Sequence, residues 1–432
     1  MLIKNPSLLV LSPPRVERKD MRIEDGLIIE CAGGLRPETR EEIVDLSGKY
    51  VLPGMVNAHT HLYSSLARGM RAPGRSPRNF LEILKKVWWR LDEALDAEAI
   101  YYSALVGSID AIKFGTTTLI DHHSSPNCIR GSLDLIKEAM NVVGLRGVLC
   151  YETTDRGGRS RSNAGIEENE RFVEANRTNP DFKGSIGAHA SFTLNDDTLE
   201  EIGRLSRSYN CGVHIHAAED LADVDDARRN RGKSIVSRFR RNGLLSRKAI
   251  LAHGVHLTRG EIDIIRKSGA WLVHNPRSNM NNVVGYAPLH WFPRETALGT
   301  DGFPADMFEE CKIGFFRNQE SSRKSPLSRL PQILHAGQNL VSALFNREFG
   351  SFKPGAPADI VVLDYKPPTP IGPENVFGHF VFGMNSGIVV HTMVRGEWRM
   401  WNRELIGIDE EAIVSEASKV AGKLWKRMEK GR

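Results

Sequence analysis

Eight short runs rich in β-branched and apolar residues recur along the chain, each separated from the next by a longer amphipathic stretch. The runs fall at residues 50–56, 116–121, 147–151, 184–188, 212–216, 249–253, 270–274 and 295–300. Between them lie segments of helical periodicity such as FLEILKKVWWRLDEAL, AEAIYYSALVGSIDAIKF and GSLDLIKEAMNVV. Strands that alternate with helices predict a parallel sheet, and eight such units predict a closed (β/α)8 TIM-type barrel. The near-continuous apolar character of the runs fits strands covered on both faces.

The two ends of the chain read differently. Residues before about Lys49 form short strand patterns (SLLVLS, MRIEDGLIIE), and such patterns return after Pro354 in ADIVVLDY and GIVVHTMVRGEWRMW. Chain termini often lie close together, so a composite β-sandwich is expected from residues 1–50 and 354–432, with a closing helix at about 410–430. The barrel is expected over residues 51–353. A length of 432 residues suits one large barrel with a modest accessory unit.

Composition narrows the function. The start, MLIKNPSLLVLSPPRV, is only briefly apolar and is broken by two prolines, and no segment stays apolar for ~18 residues. Neither a signal peptide nor a membrane span is expected, and a cytoplasmic location is. The five cysteines are scattered and form no C-x-x-C pair, which argues against a disulfide framework or an all-cysteine zinc site. The net charge of +5 is spread without a run of five like charges, so nucleic acid is not an expected partner and a small-molecule substrate is.

The histidines carry the chemistry. In a barrel of this kind all C-terminal strand ends open onto one face, where side chains distant in sequence converge. His59 and His61, in VLPGMVNAHTH, are two positions apart and share one side of an extended segment, so both can reach one metal. In CGVHIHAAED, His216 is nearer the strand end than His214 and is the better ligand. Glu219 follows in the loop, where a carboxylate suits moving a proton between water and substrate. His253 closes the sixth run, while His256 lies beyond it. Asp301, in LGTDG after the eighth run, can bind a metal and accept a proton from water.

Taken as a set, PGMVNAHTH, HIHAAED, LAHG, VHNPRSNMN and LGTDG resemble the amidohydrolase superfamily, in its cytosine-deaminase and chlorohydrolase-like branch. The segments NFLEILKKVWWRLDEAL, YETTDR and RSNMNN look most like the SsnA-type aminohydrolases, and KPGAPADIVVLD extends the likeness into the trailing strands. The resemblance implies metal ligands at His59, His61, His216 and Asp301, a water- or oxyanion-orienting His253, a proton-shuttling Glu219, and substrate contact from His189. It further implies one divalent ion, since the strand-four position where binuclear relatives carry a modified lysine holds His189 here. Zinc is the default for such a ligand set and iron the alternative. The implied reaction is hydrolytic deamination of a purine-like nitrogen heterocycle; the alternative is hydrolysis of another C–N or a C–Cl bond, as in triazine hydrolases. A homodimer is also implied.

Substrate recognition is expected from Arg68, Arg156 and Arg277, in loops over the site, because a planar guanidinium donates two bonds to a carbonyl or anion at once. Glu152 and Asp155, near the end of the third run, are open between substrate contact and a supporting role. His122, His123 and His274 are expected to be structural, Asn279, Asn281 and Asn282 to shape the pocket, and Trp88 and Trp89 to pack in the core with Leu81, Leu84 and Leu91.

Overall fold

The computed structural model describes residues 1–71, 75–321 and 325–430. Eight parallel strands make the barrel: β1 (Met55–Thr60), β2 (Thr116–His123), β3 (Arg146–Tyr151), β4 (Ile186–Ala190), β5 (Val213–Ala217), β6 (Ile250–His253), β7 (Trp271–His274) and β8 (Thr296–Leu298). Every residue of these strands is buried, as expected for strands packed against side chains on one face and helices on the other. The barrel closes at two seams. Between β3 and β4, Thr153 bridges Ala188; between β8 and β1, Asp301 bridges Thr60. A short extra strand, Phe182–Gly184, pairs with β3 just before β4 begins, so the run expected at 184–188 splits in two.

Helices cover the outside, and their ends follow local chemistry. The helix Arg259–Ser268 starts in a capping box, with Thr258 and Glu261 each accepting from the other's backbone N–H, and ends at Gly269 with φ +73°. The helix preceding β2, Ala97–Lys113, is capped by Asp96.

Strands from both ends of the chain form one seven-stranded sheet. Its order runs Glu404–Leu405, Glu397–Trp401, Val389–Val394, Ile360–Leu363, Tyr50–Pro53, Ser7–Leu11 and Pro14–Arg18. A four-stranded sheet of Leu27–Ala32, Asp20–Glu24, Leu2–Lys4 and Ile43–Asp45 lies beside it, with Ile3, Leu8, Met21, Ile28, Val51, Ile360 and Met393 in a shared core. The first apolar run, expected to be one barrel strand over 50–56, is therefore two strands. Tyr50–Pro53 belongs to the mixed sheet and pairs antiparallel with Ile360–Leu363, whereas β1 starts at Met55.

Gly54 is the joint between the two. Its N–H donates to Asp359 O at 2.8 Å, and a Cβ there would lie 2.2 Å from Thr117 Oγ1. No side chain fits without moving β2. Gly54→Ala is expected to destabilise the fold by about 1–3 kcal/mol through overpacking, seen as a lowered thermal or denaturant midpoint; an unchanged midpoint would show that the joint yields freely.

Candidate active site

The seam between β8 and β1 brings the first and last barrel strands together through backbone bonds. His59 O accepts from the amides of both Thr300 and Asp301 at 3.0 Å, and His61 N donates back to Asp301 O at 3.1 Å. Gly299 permits this approach, because a Cβ there would meet Asn275 Oδ1 at 2.5 Å and His59 Cβ at 2.8 Å. Asp301 and His253 both hold positive φ, +54° and +75°. A left-handed backbone at non-glycine residues costs energy and is found where surrounding structure fixes a functional side chain.

These constraints place four side chains around one point. His61 Nε2 lies 2.9 Å from Asp301 Oδ1 and 3.2 Å from His216 Nε2, and His59 Nε2 lies 3.3 Å from Asp301 Oδ1. One ligand atom from each of His59, His61, His216 and Asp301 falls within 4.8 Å of all the others. Hydrogen bonds fix the tautomers. His61 Nδ1 donates to His122 O at 2.5 Å and His216 Nδ1 to His189 O at 2.9 Å, so each ring turns Nε2 inward; against its burial, the Asp301 carboxylate pushes the His61 imidazole up to about 9, and a cation on Nε2 would take that proton's place. His59 Nε2 is buried with no hydrogen-bond partner. Bare nitrogens gathered on a carboxylate in a dry interior repel unless a positive charge lies among them. The donor set fits a divalent cation, and its three imidazoles and one carboxylate suit zinc or iron.

Behind His59 runs a second layer that sequence reading passed over. His59 Nδ1 is 2.8 Å from His214 Nε2, and His214 Nδ1 is 3.7 Å from Cys150 Sγ, which donates to Asp121 O at 3.5 Å. If His59 gives Nε2 to a cation, its Nδ1–H donates to His214, whose own Nδ1–H then faces the sulfur. The signal was present in HIHAAED: the side chains of His214 and His216 fall on one side of β5, and both reach the site.

Glu219 stands on the other side of the cluster. Its carboxylate accepts from Asn282 Nδ2 at 3.3 Å and lies 3.6 Å from His253 Nε2. Burial above all, with a smaller contribution from Asp301, pushes the Glu219 carboxyl up to about 7 against the pull of His253. His253 Nδ1 bonds Asn279 Oδ1 at 2.9 Å, which turns Nε2 toward Glu219. A cleft opens over this group, lined by His61, His216, Glu219, Asp301, His189 and Glu152.

Trp88 and Trp89 pack with Leu81, Leu84 and Phe80 as the helical spacing predicts, and in addition they line the cleft, with Trp89 edge-on to His189 at 6.5 Å. The cause of this second role is local. Phe80–Ile83 and Trp89–Ala94 are α-helical, but Leu84–Trp88 between them is a π-turn, and its extra residue shifts the helical phase past it. His122 and Glu152 are likewise drawn in: His122 Nδ1 is 3.3 Å from Glu152 Oε2, and His189 Nε2 is 3.6 Å from Glu152 Oε1. Asp155 instead anchors a loop, accepting from Asn195 N at 2.7 Å and Thr198 Oγ1 at 3.0 Å.

The arginines sit farther out than expected. Arg277 is spent on buried partners: Nε on Glu310 at 2.5 Å, Nη2 on Pro304 O at 2.7 Å and Nη1 on Glu309, so it does not face the cleft. Arg68 pairs with Asp110 at 2.5 Å, is half exposed, and lines an adjoining cleft. Arg156 lies 4.2 Å over the Trp89 ring and 3.6–3.7 Å from Asp92 and Glu152, behind the cleft wall. Its influence on a substrate would pass through those side chains.

The sequence pattern of the amidohydrolase family matches residues 50–399, and the chain belongs to that family. It is 28% identical over 439 residues to a 5'-deoxyadenosine deaminase of Methanosarcina mazei, covering 99% of each chain. It is also 28% identical over 442 residues to a 5-methylthioadenosine/S-adenosylhomocysteine deaminase of Thermoanaerobacter pseudethanolicus, covering 99% of this chain and 100% of that one. Among solved structures, an adenosine deaminase of Xanthomonas campestris with bound zinc shares the fold, with a TM-score of 0.86, 21% identity and 98% coverage of both chains. Among the described residues no helix is long and apolar enough to cross a membrane.

Replacing His214 by Ala removes no ligand but frees His59 to turn. Metal affinity is expected to fall about 10- to 100-fold, measured by chelator competition; native affinity in His214→Ala would show that His59 is held by its own strand alone.

Proposed function

We propose that this chain is a metal-dependent hydrolytic deaminase that releases ammonia from an amino-substituted nitrogen heterocycle, with purines and their nucleosides the leading substrates. The observation that carries the reading is the placement of buried Glu219 beside His253 and a three-histidine, one-aspartate cluster, beneath a cleft with an aromatic wall. The deaminase names borne by relatives aligned over nearly the whole chain support it.

In this reading His59, His61 and His216, each through Nε2, and Asp301 hold one divalent ion, which we take to be zinc. A bound divalent ion lowers the pKa of water toward about 7, so that hydroxide is available at neutral pH. Every other step belongs to the protein. His253 Nε2 accepts a hydrogen bond from the attacking water and orients it, since its Nδ1 is turned to Asn279. A carboxyl that both takes and gives a proton suits this step, and burial favours the protonated form of Glu219 that makes giving possible. It takes a proton from water at Oε and delivers it to a ring nitrogen as oxygen adds to the amino-bearing carbon. Asp301 takes the remaining hydroxyl proton at Oδ and passes it to the departing amino group, which leaves as ammonia while the carbon becomes a carbonyl. Ser278 Oγ donates to Asp301 Oδ2 at 2.5 Å and keeps that carboxylate oriented.

Burial holds the His189 imidazole neutral, down to about 3, and its Nδ1–H donates to Thr193 Oγ1 at 2.7 Å. Nε2 is thereby offered to the cleft as an acceptor for a substrate N–H or O–H. Trp88 and Trp89 supply apolar surface against which a flat ring packs.

The test is an ammonia-release screen over adenosine, 5'-deoxyadenosine, free purines, pyrimidines, pterins and triazines. With whichever substrate responds, Glu219→Gln is expected to lose at least about 100-fold in turnover while keeping its metal. Ammonia from none of them would move the reading to displacement of another leaving group at the same site, and full activity in Glu219→Gln would remove Glu219 from the proton path.

A further inference from the structure

One set of acceptors remains after the first ion is provided for. His122 Nε2 is 3.2 Å from His214 O, a carbonyl that only accepts, so the N–H is at Nε2 and Nδ1 is the nitrogen open to another partner. His122 is wholly buried, and this Nδ1 has no hydrogen-bond partner. It points at Glu152 Oε2, 3.3 Å away. Glu152 is itself 3% exposed, and the groups around its other oxygen are His189 Nε2 at 3.6 Å and Arg156 Nη2 at 3.7 Å, beyond hydrogen-bond reach. Two imidazole nitrogens thus face one buried carboxylate that the Arg156 guanidinium matches only through a long ion pair at 3.7 Å.

The geometry points to a second cation seat at His122 and Glu152, next to the first and weaker than it. One ligand atom each from His61, His122, Glu152 and His216 lies within 4.8 Å of the others, so the two seats share the His61–His216 edge. Each of those two histidines has a single nitrogen to offer, because its Nδ1–H is committed to a backbone carbonyl. They serve one ion at a time. With the first ion on His59, His61, His216 and Asp301, a second has only His122 Nδ1 and the Glu152 carboxylate from the protein, completed by solvent. Two ligands of borderline and hard type suit zinc or cobalt at modest affinity. Glu152 and His189 border the cleft, so an ion seated there takes space and a carboxylate that a substrate would otherwise meet. Excess divalent metal therefore inhibits, in competition with substrate.

This inference rests on the reading of the first site, and the test separates the two. Metal-free protein is loaded with one equivalent of Co²⁺ and then titrated with more, following bound metal by equilibrium dialysis and the visible d–d absorption. The expected result is a tight first equivalent and a weaker second with its own absorption change. His122→Gln and Glu152→Gln are each expected to lose the second equivalent and keep the first, with circular dichroism confirming that they fold. In the native protein, added Co²⁺ is expected to raise the apparent KM for substrate without lowering kcat, a measurement that needs no variant. No tight equivalent at all would overturn the first site. One equivalent only would overturn the second seat alone and mean that a proton bridges His122 and Glu152. A second equivalent that persists in both variants would place that ion elsewhere and overturn the seat as well.

Discussion

The bonds from the Thr300 and Asp301 amides to His59 O, returned from His61 N to Asp301 O, fasten the last barrel strand to the first. The rest of the site depends on them. They set the distance between the paired histidines and the aspartate before any side chain rotates. Gly299 is needed because the two backbones approach too closely for a Cβ, and Asp301 accepts a left-handed φ to turn its carboxylate back over the seam. The ligand set is thus a property of barrel closure, and its geometry has as little freedom as the sheet.

Inside that ring the controlling quantity is the count of lone pairs. Backbone carbonyls and hydroxyls beneath the strand ends absorb an N–H of His61, His216, His122 and His189, so the other nitrogen of His61, His216 and His189 turns toward the cleft and that of His122 toward Glu152. Without a positive charge this arrangement is unfavourable; with one it is preorganised, because no tautomer has to change when charge arrives. Glu219 sits at the margin, where burial favours the protonated form of its carboxyl.

Much of this was legible in the chain. The eight runs and the histidine spacings point to a barrel and to a cluster because a period of two and the common exit face of parallel strands are local and topological rules. What escaped was non-local or broke a period. Trp88 and Trp89 keep their place in a helical core stripe, but past the π-turn at Leu84–Trp88 they also line the cleft, which the spacing alone does not announce. The acidic partners of Arg277, Glu309 and Glu310, lie more than thirty positions away, so nothing near the arginine announced that its donors were taken. The run at 50–56 looks like one strand because Tyr50–Pro53 and β1 are both buried, though they belong to different sheets.

That last division has a consequence for how the protein is made. Tyr50–Pro53 pairs early with Ser7–Leu11 on one edge, but its other edge finds Ile360–Leu363 only about three hundred positions later, with the barrel between them in sequence. On the ribosome, the leading strands must wait with an open hydrogen-bonding edge while the entire barrel emerges. Contacts of such high sequence separation form late and slowly, and an unpaired apolar edge invites association in the interval. The barrel can begin to assemble during synthesis, whereas the sheet that joins both ends waits for residues 360–363. Holding the early strands apart until their partner arrives is the step at which a chaperone would matter most.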